Sequence, residues 1–234
     1  MCIRDSMWGY NRHTDQTVNI YSAFLQNEWK NDRWGILIGG RLDKHNMVDN
    51  VIFSPRANLR FNPTQNINLR LSYSSGFRAP QAFDEDMHIE NVGGTVAMIE
   101  RAKDLKEEKS QSFSASADMY HRFGAFQTNL LIEGFYTRLT DVFVLGEPYD
   151  RGDGILVKTR SNGPGAKVMG LTLEGKVAYL SILQIQAGLT LQRSRYDEPH
   201  KWHDDAPAEK KIFRTPDTYG YFTATCTPIK PLSI

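Results

Sequence analysis

The densest group of side chains that could bind a ligand lies just after residue 80. Asp84, Glu85, Asp86 and His88 place three carboxylates and an imidazole close together in the chain. Hard cations favour carboxylate oxygens and transition metals accept imidazole nitrogen, so this cluster is a candidate ion or ligand site. Its spacing matches no established ion-binding loop, and a solvated acidic loop is the simpler interpretation. We therefore expect no resident metal and no cofactor.

A second candidate contact lies near residue 200, where Trp202 and His203 stand beside His200, Asp204 and Asp205. These side chains could touch a ligand, although a flexible charged loop tip is the plainer interpretation. No Ser/His/Asp order, paired catalytic carboxylates or phosphate-binding glycine loop is recognisable, so we expect the protein not to be an enzyme.

Several arginines share one face of predicted strands. They are Arg41, Arg56, Arg60, Arg70 and Arg78. Side chains in a strand point alternately to opposite faces, and here the other face is apolar. Such a pattern suits a wall with lipid on one side and water on the other. The arginines could guide anionic ligands or meet the carboxylates of an inserted domain through bidentate pairs. We favour structural pairing with acids on neighbouring strands, such as Glu28 and Asp43.

The elements that position these residues are predicted from an alternation of apolar and polar side chains. It is clear in the two arms of residues 53–80, which flank a turn around Pro63. The same pattern recurs at 18–30, 34–43, 113–119, 126–137, 169–179, 183–194 and 213–225. Short turns near 31–33, 62–65, 122–125 and 180–182 alternate with longer polar loops near 44–51, 79–109, 146–166 and 195–211. Residues 155–160 could pair as a short hairpin arm, and 7–16 resemble the end of a loop.

Composition narrows the class of protein. The formal net charge of +1 without a concentrated basic stretch gives no reason to expect a nucleic-acid partner. A mean hydropathy of −0.47, without a long apolar run, excludes a helical membrane protein but not a barrel, whose strands are only half apolar. The two cysteines, Cys2 and Cys226, form no disulfide framework.

These patterns predict an all-β fold, an antiparallel transmembrane β-barrel. Outer-membrane barrels separate short periplasmic turns from longer extracellular loops, whereas a soluble β-sandwich, the main alternative, does not. The aromatic residues Trp29, Trp34, Phe61 and Tyr179 lie at the short-turn ends, where an interfacial girdle belongs. About nine to ten strands with open edges cannot close, so we expect an incomplete part of a larger barrel.

Four segments resemble motifs of TonB-dependent outer-membrane receptors. Residues 76–86, GFRAPQAFDED, resemble the family's G-[FY]-R-[AS]-P segment, and 105–112 resemble its L-x-P-E-x-S segment, with Lys106 close to where Pro is usual. Residues 162–174 resemble N-x-G-x-A-x-x-x-G-x-E-x-E, although Pro164 and Thr172 depart from it. Residues 214–219, RTPDTY, resemble an R-x-P segment near the end of the barrel.

The resemblance implies a barrel of about twenty-two strands that is plugged by an N-terminal domain. It implies TonB-energised uptake of an iron chelate, haem, cobalamin or glycan across the outer membrane of a Gram-negative bacterium. Expected partners are outer-membrane lipid, the TonB complex acting through the plug, a small nutrient ligand and, as a further candidate, a surface lipoprotein. Expected ligand contacts are Arg78, Asp84, Glu85, Asp86, His88, Trp202 and His203.

We further expect residues 1–6 to be a non-native leader and 7–234 to be a partial barrel domain without the plug and the last strands. A passive or adhesive outer-membrane barrel without TonB coupling remains the alternative function. A barrel enzyme is a more distant one, because no nucleophile arrangement is present.

Overall fold

The computed structural model of the chain describes residues 2–9, 12–80, 97–150, 152, 156–180, 182–201, 207–212 and 215–227. Within these ranges the regular structure consists of strands, which confirms the predicted all-β class. The described residues contain no helix long and apolar enough to cross a membrane.

The strands are long, and most of them follow one another as hairpins. Their bounds are β1 Cys2–Gly9, β2 Arg12–Lys30, β3 Trp34–His45, β4 Ile52–Thr64, β5 Ile67–Arg78, β6 Ala97–Arg101, β7 Glu108–Phe123, β8 Phe126–Thr140, β9 Phe143–Leu145, β10 Tyr149–Asp150, β11 Leu156–Asn162, β12 Ala166–Tyr179, β13 Leu183–His200, β14 Glu209–Lys211 and β15 Thr218–Cys226. Strands of about ten residues or more suffice to cross a hydrocarbon layer at a tilt of about 45°.

Eleven strands form one sheet in the order β1-β2-β3-β4-β5-β7-β8-β12-β13-β14, with β15 also beside β13. All the pairs in this sheet are antiparallel. Within the described residues its two edges do not pair with each other, so the sheet is open, as expected for part of a barrel wall. A second, four-stranded sheet joins β6, β9, β10 and β11.

The predicted segregation of connections is confirmed from β2 onward. Short turns follow β2, β4, β7 and β12, whereas the connections after β3, β5, β8 and β13 are longer. Because consecutive strands are antiparallel, these four short turns lie at one end of the sheet, here called the turn end. The longer connections lie at the opposite end, called the loop end. The two-residue connection between β1 and β2 also falls at the loop end and departs from the predicted pattern.

Several predicted boundaries are wrong. Residues 7–16 are not a loop end, because β1 pairs with β2 from Cys2 opposite Asn19 to Gly9 opposite Arg12. The charged stretch from Arg195 begins as strand, since β13 continues to His200. The last strand begins at Thr218, not at residue 213, and Pro216 just before it has no N–H to pair. The origin of residues 1–6 stays a prediction.

The two faces of the sheet differ as the alternation predicts. The outer face is apolar, and its side chains are more exposed than those of the inner face. The exposed fraction is 54% for Leu71 and 49% for Leu171. On the inner face small hydroxyls bond across strands, at 3.0 Å between the oxygens of Ser112 and Thr137. Thr190 on the same face is only 7% exposed. This difference in exposure fits a sheet that curves around its polar side.

An aromatic belt lies on the outer face at the turn end. The rings of Trp34 and Phe61 stack with centroids 4.2 Å apart, and those of Phe126 and Tyr179 lie 4.9 Å apart. Phe123 continues the belt, with its ring centroid 5.7 Å from that of Phe126. The structure therefore confirms the predicted position of Trp34, Phe61 and Tyr179, where aromatic rings anchor barrels at a membrane surface.

Candidate functional site

Arg78 is the one predicted ligand contact that lies within the described residues. It ends β5 at the loop end, directly opposite Glu108, the first residue of β7. Its guanidinium carbon lies 5.4 Å from the centroid of the Phe143 ring, within the range of a cation–π contact. The side chain is exposed, so an incoming ligand could reach it.

The other predicted contacts, Asp84, Glu85, Asp86, His88, Trp202 and His203, lie outside the described residues. Their part in binding therefore stays a prediction. Across the described ranges, no group of three or more His, Cys, Asp or Glu side chains is placed to hold a metal ion.

Asn162 ties the loop after β5 to the loop after β8. Its Oδ1 accepts the Lys106 N–H at 2.8 Å, and its Nδ2 donates to the Lys106 carbonyl at 3.1 Å. The same Nδ2 donates to the carbonyl of Asp141 at 2.8 Å. Asp141 has a positive φ of 55°, a conformation that Asp tolerates better than most residues. One amide thus fixes the backbone of two connections.

The two loops also share a sheet. β6, from the loop after β5, pairs in parallel with β11, from the loop after β8, over five residue pairs from Ala97–Leu156 to Arg101–Arg160. Val157 and Arg160 on β11 are fully or almost fully buried, at 0% and 2% exposure. The loops therefore form one packed unit above the sheet.

The two glutamates of the predicted L-x-P-E-x-S segment help to build the same unit. Glu108 Oε2 accepts the Phe143 N–H at 3.0 Å. The neighbouring Glu107 is 8% exposed, and its Oε1 lies 3.0 Å from Lys109 Nζ. Glu108 also lies near Tyr196, and burial together with the charge of that glutamate raises the pKa of the tyrosine. Arg78, Glu108 and Asn162 come from three separate motif segments, and the fold gathers them at the loop end.

Close packing explains why a glycine stands at position 170, within the segment that resembles N-x-G-x-A-x-x-x-G. A Cβ at Gly170 would lie 2.5 Å from the Phe135 ring and 2.7 Å from the Leu191 carbonyl oxygen, closer than carbon atoms approach. Ala166, in the same segment, is completely buried. The motif therefore marks a tight contact between β8, β12 and β13.

A smaller buried group closes the loop between β3 and β4. Asp43 is 1% exposed, and it accepts hydrogen bonds from Ser22 Oγ at 2.5 Å and Arg41 Nε at 2.8 Å. His45 is equally buried, and its Nδ1 accepts the Met47 N–H at 3.0 Å. Burial lowers the pKa of His45. The predicted structural pairing of an arginine with Asp43 is thus confirmed for Arg41.

The remaining inner-face arginines do not find the acids that the sequence suggested. Glu28 lies opposite Leu37, and within the described part of the chain it pairs with no arginine. Arg60 and Arg70 lie directly opposite each other on β4 and β5. Arg70 Nε donates to Asn68 at 2.7 Å, and among the described residues neither Arg56 nor Arg60 has a carboxylate partner. This inner sector, β4–β5, is therefore electropositive.

The inner face carries two glutamates beside a hollow on the strands β8, β12, β13 and β15. A cavity of about 390 Å³ is lined by Glu133, Glu174, Thr172, Thr190 and Tyr219, among others. Two carboxylates on β8 and β12 thus face the same space as two hydroxyls and a phenol. Lys176 lies on the same face, two residues along β12 from Glu174, so this sector carries both signs of charge, unlike the arginines of β4 and β5.

The fold and its two faces define the class of this protein, a section of the wall of a large antiparallel β-barrel with an apolar exterior and a polar interior. Residues 4–225 match the family described as TonB dependent receptor-like, beta-barrel, and the chain belongs to this family. Members of the family lie in the outer membrane of Gram-negative bacteria.

Solved structures of receptors share the fold. The siderophore receptor PirA from Acinetobacter baumannii superimposes with a TM-score of 0.68 at 15% identity, covering 94% of this chain and 33% of that one. The siderophore receptor PirA from Pseudomonas aeruginosa has a TM-score of 0.65 at 16% identity, covering 94% of this chain and 44% of that one. The FrpB iron transporter from Neisseria meningitidis has a TM-score of 0.63 at 15% identity, covering 93% of this chain and 32% of that one. The chain spans less than half the length of each structure. A comparison with curated proteins found no match.

Proposed function

We propose that this chain is part of the barrel of an outer-membrane receptor that takes up a scarce nutrient with energy from the TonB complex. The observation that carries the proposal is the two-faced, eleven-stranded sheet of a TonB-dependent receptor-like barrel. The family and the structural neighbours are receptors and transporters, which favours transport over catalysis. We propose all three together: uptake of a nutrient, coupling to TonB and a place for this chain in the outer membrane.

An anionic nutrient, such as a ferric chelate, fits the inner face best. Arg56, Arg60 and Arg70 present three guanidinium groups to the interior without a carboxylate partner in the described residues. Arginines directly opposite each other repel, and a bound anion relieves that repulsion. The carboxylates of an inserted plug domain could meet the same arginines, so this sector could serve both the plug and the passing nutrient. Two of the structural neighbours are described as siderophore receptors and a third as an iron transporter, which supports an iron chelate as the nutrient.

The extracellular loops are the proposed place of first contact. Arg78 stands exposed at the base of the loop after β5, and Asp84, Glu85, Asp86 and His88 follow it in sequence. Trp202 and His203 belong to the loop after β13. We expect the nutrient to touch residues of both loops. An N-terminal plug that contacts TonB and a surface lipoprotein are the further proposed partners.

The coupling to TonB is tested by uptake in cells. The whole receptor is expressed in a strain with or without the TonB complex, and accumulation of radiolabelled ferric chelates is measured. Uptake that disappears without TonB, or after the proton gradient is collapsed, supports the proposal. Diffusion of the same solute in both strains would show a passive barrel, and surface adhesion without uptake would show an adhesive one.

The binding loop is tested separately. Replacing residues 79–107 of the whole receptor by a two-residue Asn-Gly turn, which leaves β7 intact, should abolish binding of the chelate and leave the heat-modifiable gel mobility of the folded barrel unchanged. Exchanging Arg78 for Ala should weaken binding by about tenfold, the cost of about one charge-assisted contact. Full affinity in the loop-replacement variant would place recognition elsewhere in the receptor.

A further inference from the structure

A row of cations crosses the outer face at the loop end. Lys167 on β12 lies directly opposite Arg138 on β8 and, on its other side, directly opposite Arg195 on β13. All three point to the same face as Met169 and Leu171, because side chains two residues apart in a strand share a face. The row therefore lies immediately above the apolar rows that cover the rest of this face.

Further cations extend the row to neighbouring positions. Arg193 precedes Arg195 by two residues and lies opposite Met169, and Lys211 on β14 lies opposite Arg195. Lys210 Nζ donates to the main-chain carbonyl of Asp197 at 2.6 Å. Together these side chains form what we call the outer cationic patch. Its members are Arg138, Lys167, Arg193, Arg195, Lys210 and Lys211.

Two carboxylates neutralise only part of this charge. Asp197 accepts both hydrogen bonds of an Arg138 fork, at 2.7 and 2.5 Å. Those bonds lower the pKa of Asp197, and the charges of Lys167 and Lys210 act in the same direction. Asp217 lies 2.9 Å from Lys211 Nζ and 3.5 Å from Arg195 NH1.

Lys167 and Arg193 form no close ion pair with a carboxylate among the described residues. Lys167 does act on Asp197 through its charge, but no direct contact between them holds it in place. Lys167 and Arg193 are diagonal neighbours on adjacent strands, a spacing of about 7–8 Å at which long side chains reach the same group. Like charges directly opposite in a sheet are destabilising. In this row Asp197 offsets Arg138 and Asp217 offsets Arg195, so Lys167, together with Arg193, gains most from a further anion.

The patch is confined to one sector of the outer face. Towards the loop end of β3 and β4 the outer face carries Lys44 and Phe53. Lys44 Nζ is occupied by the main-chain carbonyls of Val48 and Asp49, at 3.1 and 2.6 Å. Exposure to solvent alone does not explain why six cations lie together on the strands from β8 to β14.

We propose that the outer cationic patch binds the phosphate groups of a lipid in the outer leaflet, with Lys167 and Arg193 as its central contacts. The lipid's acyl chains would lie along Met169 and Leu171, directly below the cations. Arginine and lysine are the side chains that bind phosphate best, and basic groups at a membrane surface attract anionic headgroups. The inference rests on the proposed orientation in the outer membrane, and it adds a lipid site that nutrient uptake does not require.

The test uses the whole receptor, purified in detergent and exposed to diphosphorylated lipid A, with retained lipid counted by native mass spectrometry. The variant Lys167→Gln/Arg193→Gln should retain lipid A about thirtyfold less well, the effect of removing two basic contacts at a membrane surface. Lys176→Gln is the matched control, because Lys176 lies on the same strand but on the inner face. It should retain lipid A like the unchanged receptor.

Two further arms separate the sources of phosphate. Dephosphorylated lipid A should bind the unchanged receptor as weakly as diphosphorylated lipid A binds the double variant. Inorganic phosphate at millimolar concentration should not displace the lipid. Displacement by inorganic phosphate, or equal retention by the double variant and the unchanged receptor, would overturn the proposal. Heat-modifiable gel mobility shows that each variant is folded, and TonB-dependent uptake is scored separately, so the two proposals fail independently.

Discussion

Replacing Ala117 by Arg tests which face of the sheet meets lipid. Ala117 lies on β7 between Leu69 of β5 and Ile132 of β8, all on the outer face. It is six residues above Phe123, where β7 meets the short turn to β8. At about 3.3 Å per residue and a strand tilt of about 40°, that places it about 15 Å from the belt. The position is therefore close to the middle of an apolar band about 25 Å tall.

The expected cost follows from this depth. An arginine on the lipid face at the midplane destabilises a barrel by about 2–4 kcal/mol, which shifts the folding equilibrium by about 30- to 900-fold. Because Ala117 is small, almost none of this cost comes from lost apolar contact. The measurement is urea unfolding of the whole receptor in lipid vesicles, read by heat-modifiable gel mobility.

Ser116→Arg is the matched control. Ser116 precedes Ala117 and points to the inner face, opposite Glu133 of β8 on one side and Arg70 of β5 on the other. An arginine there is attracted by the carboxylate, repelled by the guanidinium and solvated by water, so the free energy of unfolding should change by no more than about 1 kcal/mol. If Ser116→Arg cost as much as Ala117→Arg, or more, the assignment of faces would be refuted.

Three further predictions concern other parts of the sheet. Leu189→Arg, on the outer face of β13, should impair membrane assembly, whereas Arg70→Leu on the inner face should do so far less; equal loss of heat-modifiable folded receptor would count against this. Asn162→Ala removes three hydrogen bonds and should speed hydrogen exchange of the Lys106 amide by about 30-fold or more. The control Asn58→Ala should not change that rate, because the Asn58 side chain forms no hydrogen bond among the described residues. An unchanged rate in Asn162→Ala would contradict the role of this joint. Burial lowers the pKa of His45 from 6.5, and its neutral ring accepts the Met47 N–H. Protection of the Met47 amide from hydrogen exchange should therefore be complete above about pH 6.5 and decline as the pH falls towards the folded-state pKa of His45. Protection that does not change with pH would contradict this.

The sequence predicts the faces and turns of this sheet because both are local properties. Leu171 and Thr172 differ in polarity and point to opposite faces, so a period of two is visible without knowing any partner strand. The turn around Pro63 is equally local. The four-stranded loop sheet is not local, since β6 and β11 are far apart in the chain and no residue pattern announces their parallel pairing.

Contacts between residues on different strands of the site were harder to predict from the sequence. The motif resemblance marked Asn162, but its contacts with Lys106 are 56 residues away in sequence and appear only in the fold. Glu28 was expected to pair with an arginine, yet the register places it opposite Leu37. The outer cationic patch was missed because Arg138, Lys167 and Arg195 belong to separate strands, and only their register brings them into one row.

The joint made by Asn162 has a practical consequence for engineering. It fixes where two surface segments leave the barrel, through the backbone of Lys106 and Asp141, and the pairing of β11 with β6 and β9 just beyond those points holds Asn162 in place. Segments of different length and composition can therefore be grafted outward of this loop sheet without disturbing the wall beneath. A family built on such a joint can change what it recognises by exchanging cassettes, and the same cut points serve a designer who wants a barrel of altered specificity.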